Sequence, residues 1–343
     1  MAITTFPGQS PAAVLDAVHA VTHFGPGGRK DAPPLPDEVE RRFAANDFLS
    51  KRAGGMEKLA RTHFATQGDG NHFAYVGTLA SDGTTALVTH HGSRGPGGSL
   101  YKAGMAAAEK VRFLRSPETA KQNAWLEADT EEGESYWDAL QAIRLWTRES
   151  HFAIHDLAAA KLVAKRGDRF WNEHNFVFRK TDGLFYHGKG ATPAFPGWAA
   201  DAGDCTIIPL NMAEPILIAK GRDARNGLGF SPHGAGRNTS RTAHKRALGT
   251  EPEAETFRRE TANIDARFFH GHIDVSELPS AYKDAKAVKE QIGRYRLAEI
   301  VDEVLPHGCI MAGDWERDAP WRKKADAKRA ARARRAEKEA ARR

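Results

Sequence analysis

The chain has 343 residues, a net charge of +6, 27% charged side chains and two cysteines. It has no run of about 18 apolar residues, and no basic stretch followed by an apolar one at its start, so neither a helical membrane span nor a secretory leader is indicated and a cytoplasmic protein is expected. Cys205 and Cys309 form no CxxC pair and cannot make a disulfide scaffold, so any metal would be held mainly by histidines and carboxylates.

In chain order, Ala12–Ala20 (AAVLDAVHA) has amphipathic helical spacing, GPGGRKDAPPLPDE is a loop, and Asp37–Thr66 returns to helical spacing. HFAYVGTL and TTALVTH alternate as strands around the turn SDG. That hairpin brings His72 and His90, at opposite strand ends, near each other. Leu100–Lys165 reads as helix-rich, with Trp125, Trp137 and Trp146 as core or packing residues. From Asn172 the runs NFVFRK, DGLFYHGKGATPAFPG, CTIIPLNM and EPILIAKG are strand-like and punctuated by Gly and Pro. The fold class predicted is therefore α+β with a β-rich centre, and no repeat of solenoid length is visible.

The basicity is concentrated at the end. Arg317–Arg343 holds twelve Lys/Arg against four Asp/Glu, leaving the remainder at about −2. This divides the chain into one domain over residues 1–313 and an Ala/Lys/Arg-rich tail over 314–343. The tail favours helix but lacks an apolar stripe, so it reads either as a solvated helix or as a sequence-independent tether for RNA phosphates.

Four glycine-bounded segments each carry a histidine: GDGNHF (His72), HHGSRGPG (His90), EHNF (His174) and SPHGAGRNTSR (His233). Imidazole can act as metal ligand, proton carrier or phosphate-accepting nucleophile at neutral pH. Arg94 supplies phosphate donors beside His90, and Arg237 and Arg241, four apart, would reach one anion from one helical turn. His187 and Lys189 lie in YHGKGATPAFPG, where a structural turn or a phosphate contact would explain them equally. His19, His23, His63, His151, His155, His244, His270, His272 and His307 carry no such context and are assigned no chemistry.

These segments, with TIIPLNM and LPSAYKDAKAVKE, resemble in order the RtcB family of RNA ligases, over residues 1 to about 313. The resemblance implies a mixed α/β fold around a metal centre, with GTP and one or two Mn2+ ions as cofactors. It implies that His233 carries GMP as a covalent histidine intermediate, and that His72, His90 and His174 bind manganese. Nucleotide contacts are implied for Asn71, Phe73, Asn175, Pro209, Leu210, Asn211, Met212, Gly234, Ala235, Gly236 and Tyr282, and RNA or phosphate contacts are assigned to Arg94, Lys189, Arg237 and Arg241. The implied reaction joins RNA 3′-phosphate or 2′,3′-cyclic phosphate ends to 5′-hydroxyl ends in RNA repair or tRNA splicing. An activating protein or a separate N-terminal fragment is a further expected partner.

The chain departs from the family pattern in identifiable places. A family segment DxGCG, whose aspartate and cysteine bind manganese, has no counterpart, and Met1 is expected to correspond to an internal methionine following it. The family's base-reading acid, serine and lysine fall on Tyr75, Ile216 and near Ala312, and HHGSRG places His91 where it could compete with His90 for metal. Two readings from other classes accompany the ligase: a catalytically impaired RNA-end-binding protein, and a metal-dependent phosphoesterase.

Overall fold

The hairpin read from the sequence forms the middle of an eight-stranded sheet in the computed structural model, which describes residues 1–52, 56–193, 195–200, 202–317 and 319–322. The first part of the chain contains β1 (Ala2–Phe6), α1 (Pro11–Val21), α2 (Asp37–Ala45), α3 (Met56–Thr62), β2 (Phe73–Leu79), β3 (Thr85–His90), α4 (Arg94–Arg115) and α5 (Glu131–Leu162). Short strands follow: β4 (Arg169–Trp171), β5 (Phe176–Arg179), β6 (Phe185–Gly188), β7 (Ala191–Pro193), β8 (Thr206–Ile208), β9 (Ile216–Gly221) and β10 (Phe230–Pro232). The last part holds α6 (Arg241–Ala247), α7 (Glu253–Glu260), β11 (Asp265–Phe268), α8 (Ala285–Arg294) and β12 (Ala298–Met311). The main sheet runs β4-β1-β3-β2-β12-β9-β8, antiparallel throughout, with β11 added parallel to β12. Two small ribbons, β5-β6 and β7-β10, stand apart from it.

Strand alternation assigns each residue to one of two layers. Ala74, Val76, Leu87 and Ile310 face α1–α5 and join Val14, Leu15, Phe64 and Trp146 in the larger core. Their neighbours Phe73, Tyr75, Val88, Cys309 and Met311 face the opposite side and pack with Met1, Ile3, Ile216 and Val304. Trp146 is fully buried, donates its indole N–H to the Ala60 carbonyl at 3.0 Å and meets Phe64 edge-on at 6.0 Å. Trp125 and Trp137 are half-buried and border a surface cleft, so of the three expected packing tryptophans one lies deep in the core.

The long helical stretches are broken where side chains can capture backbone groups. Asn46 ends α2: its amide donates to the Ser135 carbonyl at 2.8 Å and its Oδ1 accepts from Leu49 N at 3.2 Å. Between α4 and α5 the Arg112 guanidinium donates to the carbonyls of Pro117 and Thr119, and Thr130 caps α5 by accepting from Gly133 N at 3.1 Å. At the other end, Trp315 donates to Asp69 and Arg317 pairs with Glu253, so residues just past 313 are held against the domain. The tail from residue 323 lies outside the described residues. Among the described residues no helix is long and apolar enough to cross a membrane.

A buried polar layer lies between β1, β3 and α5. Thr89 contacts His151 Nδ1 at 2.7 Å and His155 Nε2 at 2.8 Å, and His155 Nδ1 contacts Thr4 Oγ1 at 2.6 Å. Burial holds His155 down to about 3 and His151 well below the usual histidine range. Both take up protons near pH 6.5 when unfolded, so their contribution to stability is complete above that pH and is lost as pH falls toward the folded value. In metal-free buffer the unfolding free energy should be flat above pH 7 and fall below 6.5, by about 1.4 kcal/mol per pH unit for each such histidine, with the melting temperature falling in parallel. His155→Gln should melt lower at pH 7.5 yet show a shallower acid limb; an unchanged acid slope would count against this origin.

Candidate active site

The face of the sheet opposite α5 gathers the four histidine segments. His90 is the last residue of β3 and pairs in register with Phe73, the first of β2, while His72 precedes that strand directly. His174 comes from the β4–β5 connection, and His233 follows β10. His90 Nε2 and His174 Nε2 are 3.0 Å apart, the rings of His72 and His90 are 5.5 Å apart, and the His233 ring lies 4.4 Å from His174 and 6.5 Å from His90. Gly68, at φ +90°, makes room for this packing, because a Cβ there would stand 2.9 Å from His72 Nδ1 and collide with Arg94.

Burial keeps these imidazoles uncharged. His72 and His233 are pulled down to about 4, and His90 and His174 well below their ordinary value, in each case mainly because desolvation disfavours the cation. Neutral rings keep a lone pair for a metal or an electrophile. His174 Nδ1 is also buried without a hydrogen-bond partner. The facing Nε2 atoms of His90 and His174 fit a divalent first-row cation, which neutral imidazole suits. His72 stands one ring contact away, and among the described residues no three His, Cys, Asp or Glu side chains converge as one metal-holding group.

Two cavities meet at Asn71 and His90. The larger, about 420 Å³, is lined by His72, His91, Glu173, His174, Asn175 and Met1, with Glu173 paired to Arg144 at 2.5 Å. The smaller, about 240 Å³, is lined by His233, Gly234, Ala235, Gly236, Pro209, Leu210, Asn211, Met212 and Tyr282, over a floor of Phe73, Tyr75, Ile216, Cys309 and Met311. Gly236 has φ +75°, a left-handed conformation that lets the chain turn immediately after His233.

The structure places the remaining sequence candidates unevenly. Asn175 lines the larger cavity and accepts from Gly190 N at 2.7 Å, tying the His174 loop to the turn that carries the exposed Lys189. That turn touches the His233 segment, whose backbone N–H donates to Gly190 O at 3.3 Å. Arg94 is directed to Thr66 Oγ1 and the Gly25 carbonyl. Arg237 and Arg241 do reach one anion, but it is Glu277: Arg241 Nε donates to it at 2.8 Å, Arg237 also pairs with it, and the Tyr282 hydroxyl donates to it at 2.6 Å. Arg237 lies before α6 and stacks 4.9 Å over the Tyr282 ring, so the pair does not share a helical turn. Tyr75 and Ile216 stand in the cavity floor, whereas Ala312 is buried in the core on the helical side. His91 stacks on His151 at 3.5 Å and directs Nδ1 to the Gly92 carbonyl.

Residues without a motif complete this arrangement. His151 and His155, set aside in the sequence reading, support the His90–His91 loop from α5, and their i, i+4 spacing was the available signal. Glu277 had no such signal, because its two arginine partners are 36 and 40 residues away.

An α+β protein whose sheet face holds four neutral histidines between two cavities is the class this geometry defines. Residues 35–312 match the family model described as tRNA-splicing ligase RtcB, and the chain belongs to the RtcB family. It is 27% identical to the tRNA-splicing ligase RtcB of Archaeoglobus fulgidus and 26% identical to that of Thermococcus kodakarensis, in each case over 83% of this chain and 66% of the relative. It is 28% identical to the RNA-splicing ligase RtcB of Escherichia coli K12, over 72% of this chain and 61% of the relative. The chain thus spans slightly under two thirds of the length of these relatives.

Glu277 is 2% exposed and neutralises two guanidiniums, so its removal leaves uncompensated charge beside the smaller cavity. Glu277→Ala should cost about 2–4 kcal/mol in denaturant unfolding, less than a fully buried pair because Arg241 is half exposed, and Glu277→Gln should cost less. A loss below about 1 kcal/mol for the alanine variant would show that solvent screens the cluster.

Proposed function

We propose that the chain acts in RNA ligation by nucleotide transfer through His233, joining a 3′-phosphate end to a 5′-hydroxyl end, with GTP as the nucleotide that the family resemblance implies. The observation that carries this reading is the position of His233. A half-buried imidazole, held uncharged mainly by desolvation, stands in the smaller cavity, followed by three small residues, with its ring 4.4 Å from His174.

An uncharged imidazole nitrogen can attack an α-phosphorus, forming an N–P bond as the bond to the pyrophosphate oxygen breaks. The imidazole proton passes to solvent or pyrophosphate. An RNA 3′-phosphate oxygen then displaces His233 from phosphorus and becomes activated as a mixed anhydride. The RNA 5′-hydroxyl attacks that end, the nucleoside monophosphate leaves, and a phosphodiester is formed. In this scheme the Gly234–Gly236 backbone lets phosphate approach closely, and Lys189 stands where its charge can reach an entering phosphate. His90 and His174, with His72 beside them, would hold manganese, which would supply Lewis-acid neutralisation of phosphate charge.

Incubation of the chain with Mn2+ and α-labelled nucleotide should give an acid-labile, base-stable label that His233→Ala abolishes, with melting temperature little changed. Label retained by His233→Ala would move the nucleophile elsewhere. Absence of label, with loss of cyclic phosphate needing no nucleotide, would replace ligation by phosphoester hydrolysis.

A further inference from the structure

Strand alternation gives the smaller cavity an apolar floor: Phe73 and Tyr75 from β2, Cys309 and Met311 from β12, and Ile216 from β9, each at most 9% exposed. Tyr75, Asn211 and Glu277, polar side chains beside that floor, are already engaged, while Asn71 and His233 belong to the histidine end of the cavity. The Tyr75 hydroxyl lies 3.1 Å from the carbonyl oxygens of both Glu214 and Val304, so its single proton is committed. Asn211 Oδ1 accepts from Ala213 N at 2.9 Å and Glu214 N at 3.1 Å, leaving its amide nitrogen, which is a donor. Glu277 is occupied by Arg237, Arg241 and the Tyr282 hydroxyl. Burial pushes the Cys309 thiol far above its usual range, so it remains a neutral, weak hydrogen-bonding group.

We infer that this cavity holds a purine by its faces and not by its hydrogen-bonding edge, and therefore takes adenine at least as well as guanine. The inference rests on the nucleotide-transfer reading, and it is at odds with a guanine-specific cofactor. A guanine edge presents two adjacent donors, N1–H and the 2-amino group, and both require acceptors. Of the described side-chain acceptors lining the cavity, Asn211 Oδ1 and Glu277 are committed within the protein, and Asn71 stands at the histidine end, where the two cavities meet. Burying guanine over this floor strips water from donors that gain no side-chain acceptor from the floor itself, whereas adenine has one amino group and acceptor nitrogens that the Asn211 amide could meet. Sites that read a polar group reject an analogue lacking it by about 10⁴–10⁵, while apolar pockets separate close analogues by about 10–200-fold.

Calorimetric titration of the full chain, in Mn2+ buffer, with the α,β-methylene analogues of ATP and GTP reads binding without transfer. The two dissociation constants should lie within about tenfold, the adenine analogue binding equally or more tightly. Binding of the guanine analogue more than about 100-fold tighter, or no binding of the adenine analogue, would overturn the inference. Labelling of His233 from α-labelled ATP and GTP in parallel separates this from the parent reading. Equal binding without label supports the shared pocket and removes the transfer; label and binding from GTP alone do the reverse. Tyr75→Phe should leave the adenine-to-guanine ratio unchanged, and a shifted ratio would show that the hydroxyl reads the base after all.

Discussion

The pleat of β3 at Thr89 and His90 is the constraint on which the site depends. Adjacent residues on a strand face opposite ways, so Thr89 is committed to His151 and His155 of α5 while His90 is presented to His174 on the other side of the sheet. A register slip of one residue would exchange them, placing a hydroxyl among the histidines and an imidazole in the helical core. The pairing of Thr89 with Ala2 of β1 and with Ala74 of β2, and of His90 with Phe73, resists such a slip, because β3 is held in register from both sides. The helical layer thereby orients a side chain on the opposite face of the sheet.

Desolvation does the second part of the work. The histidines on both faces of the sheet are held uncharged by burial, which keeps their lone pairs available and avoids placing several cations side by side. The guanidiniums near the smaller cavity are treated differently, because arginine cannot shed its proton. Glu277 balances Arg237 and Arg241 from a buried position, and Tyr282 completes its hydrogen bonding. A carboxylate so placed turns two positive groups into a rigid wall. Under the proposed function an incoming phosphate would meet Lys189, exposed in the turn beside His233, and not a pair of free arginines.

The parts legible in the sequence were those with local signatures. The β2–β3 hairpin showed strict alternation around SDG, α1 showed helical spacing, and the four histidine segments were glycine-bounded, so the convergence of His72 and His90 followed from the hairpin alone. Helix limits were harder to see: the breaks at Asn46 and at residues 116–130 arise from side chains that bond to distant backbone, such as Asn46 to Ser135. Arg94 and the Arg237–Arg241 pair were read as phosphate donors from their charge and spacing, yet their partners, the Gly25 carbonyl and Glu277, are supplied by tertiary packing that no local pattern encodes. The same holds for the His91–His151 stack, which joins residues 60 positions apart.

Under the proposed function the two cavities would divide recognition in a way that follows from the sheet. At the histidine end, directional chemistry would dominate: neutral nitrogens, a glycine-flanked backbone and a nearby lysine would address phosphate and metal, whose charges are common to every nucleotide. At the far end the same strands present Tyr75, Ile216, Cys309 and Met311, whose contacts scale with area and are nearly blind to the pattern of donors and acceptors on a base. Binding strength can then come from the phosphates and from stacking, while discrimination between bases has little to draw on. Introducing a reading group there would require burying an acceptor among residues no more than 9% exposed, which without a partner in the empty pocket would destabilise the free protein. An apolar floor avoids that cost, and the loose base selection inferred for this cavity would follow from it.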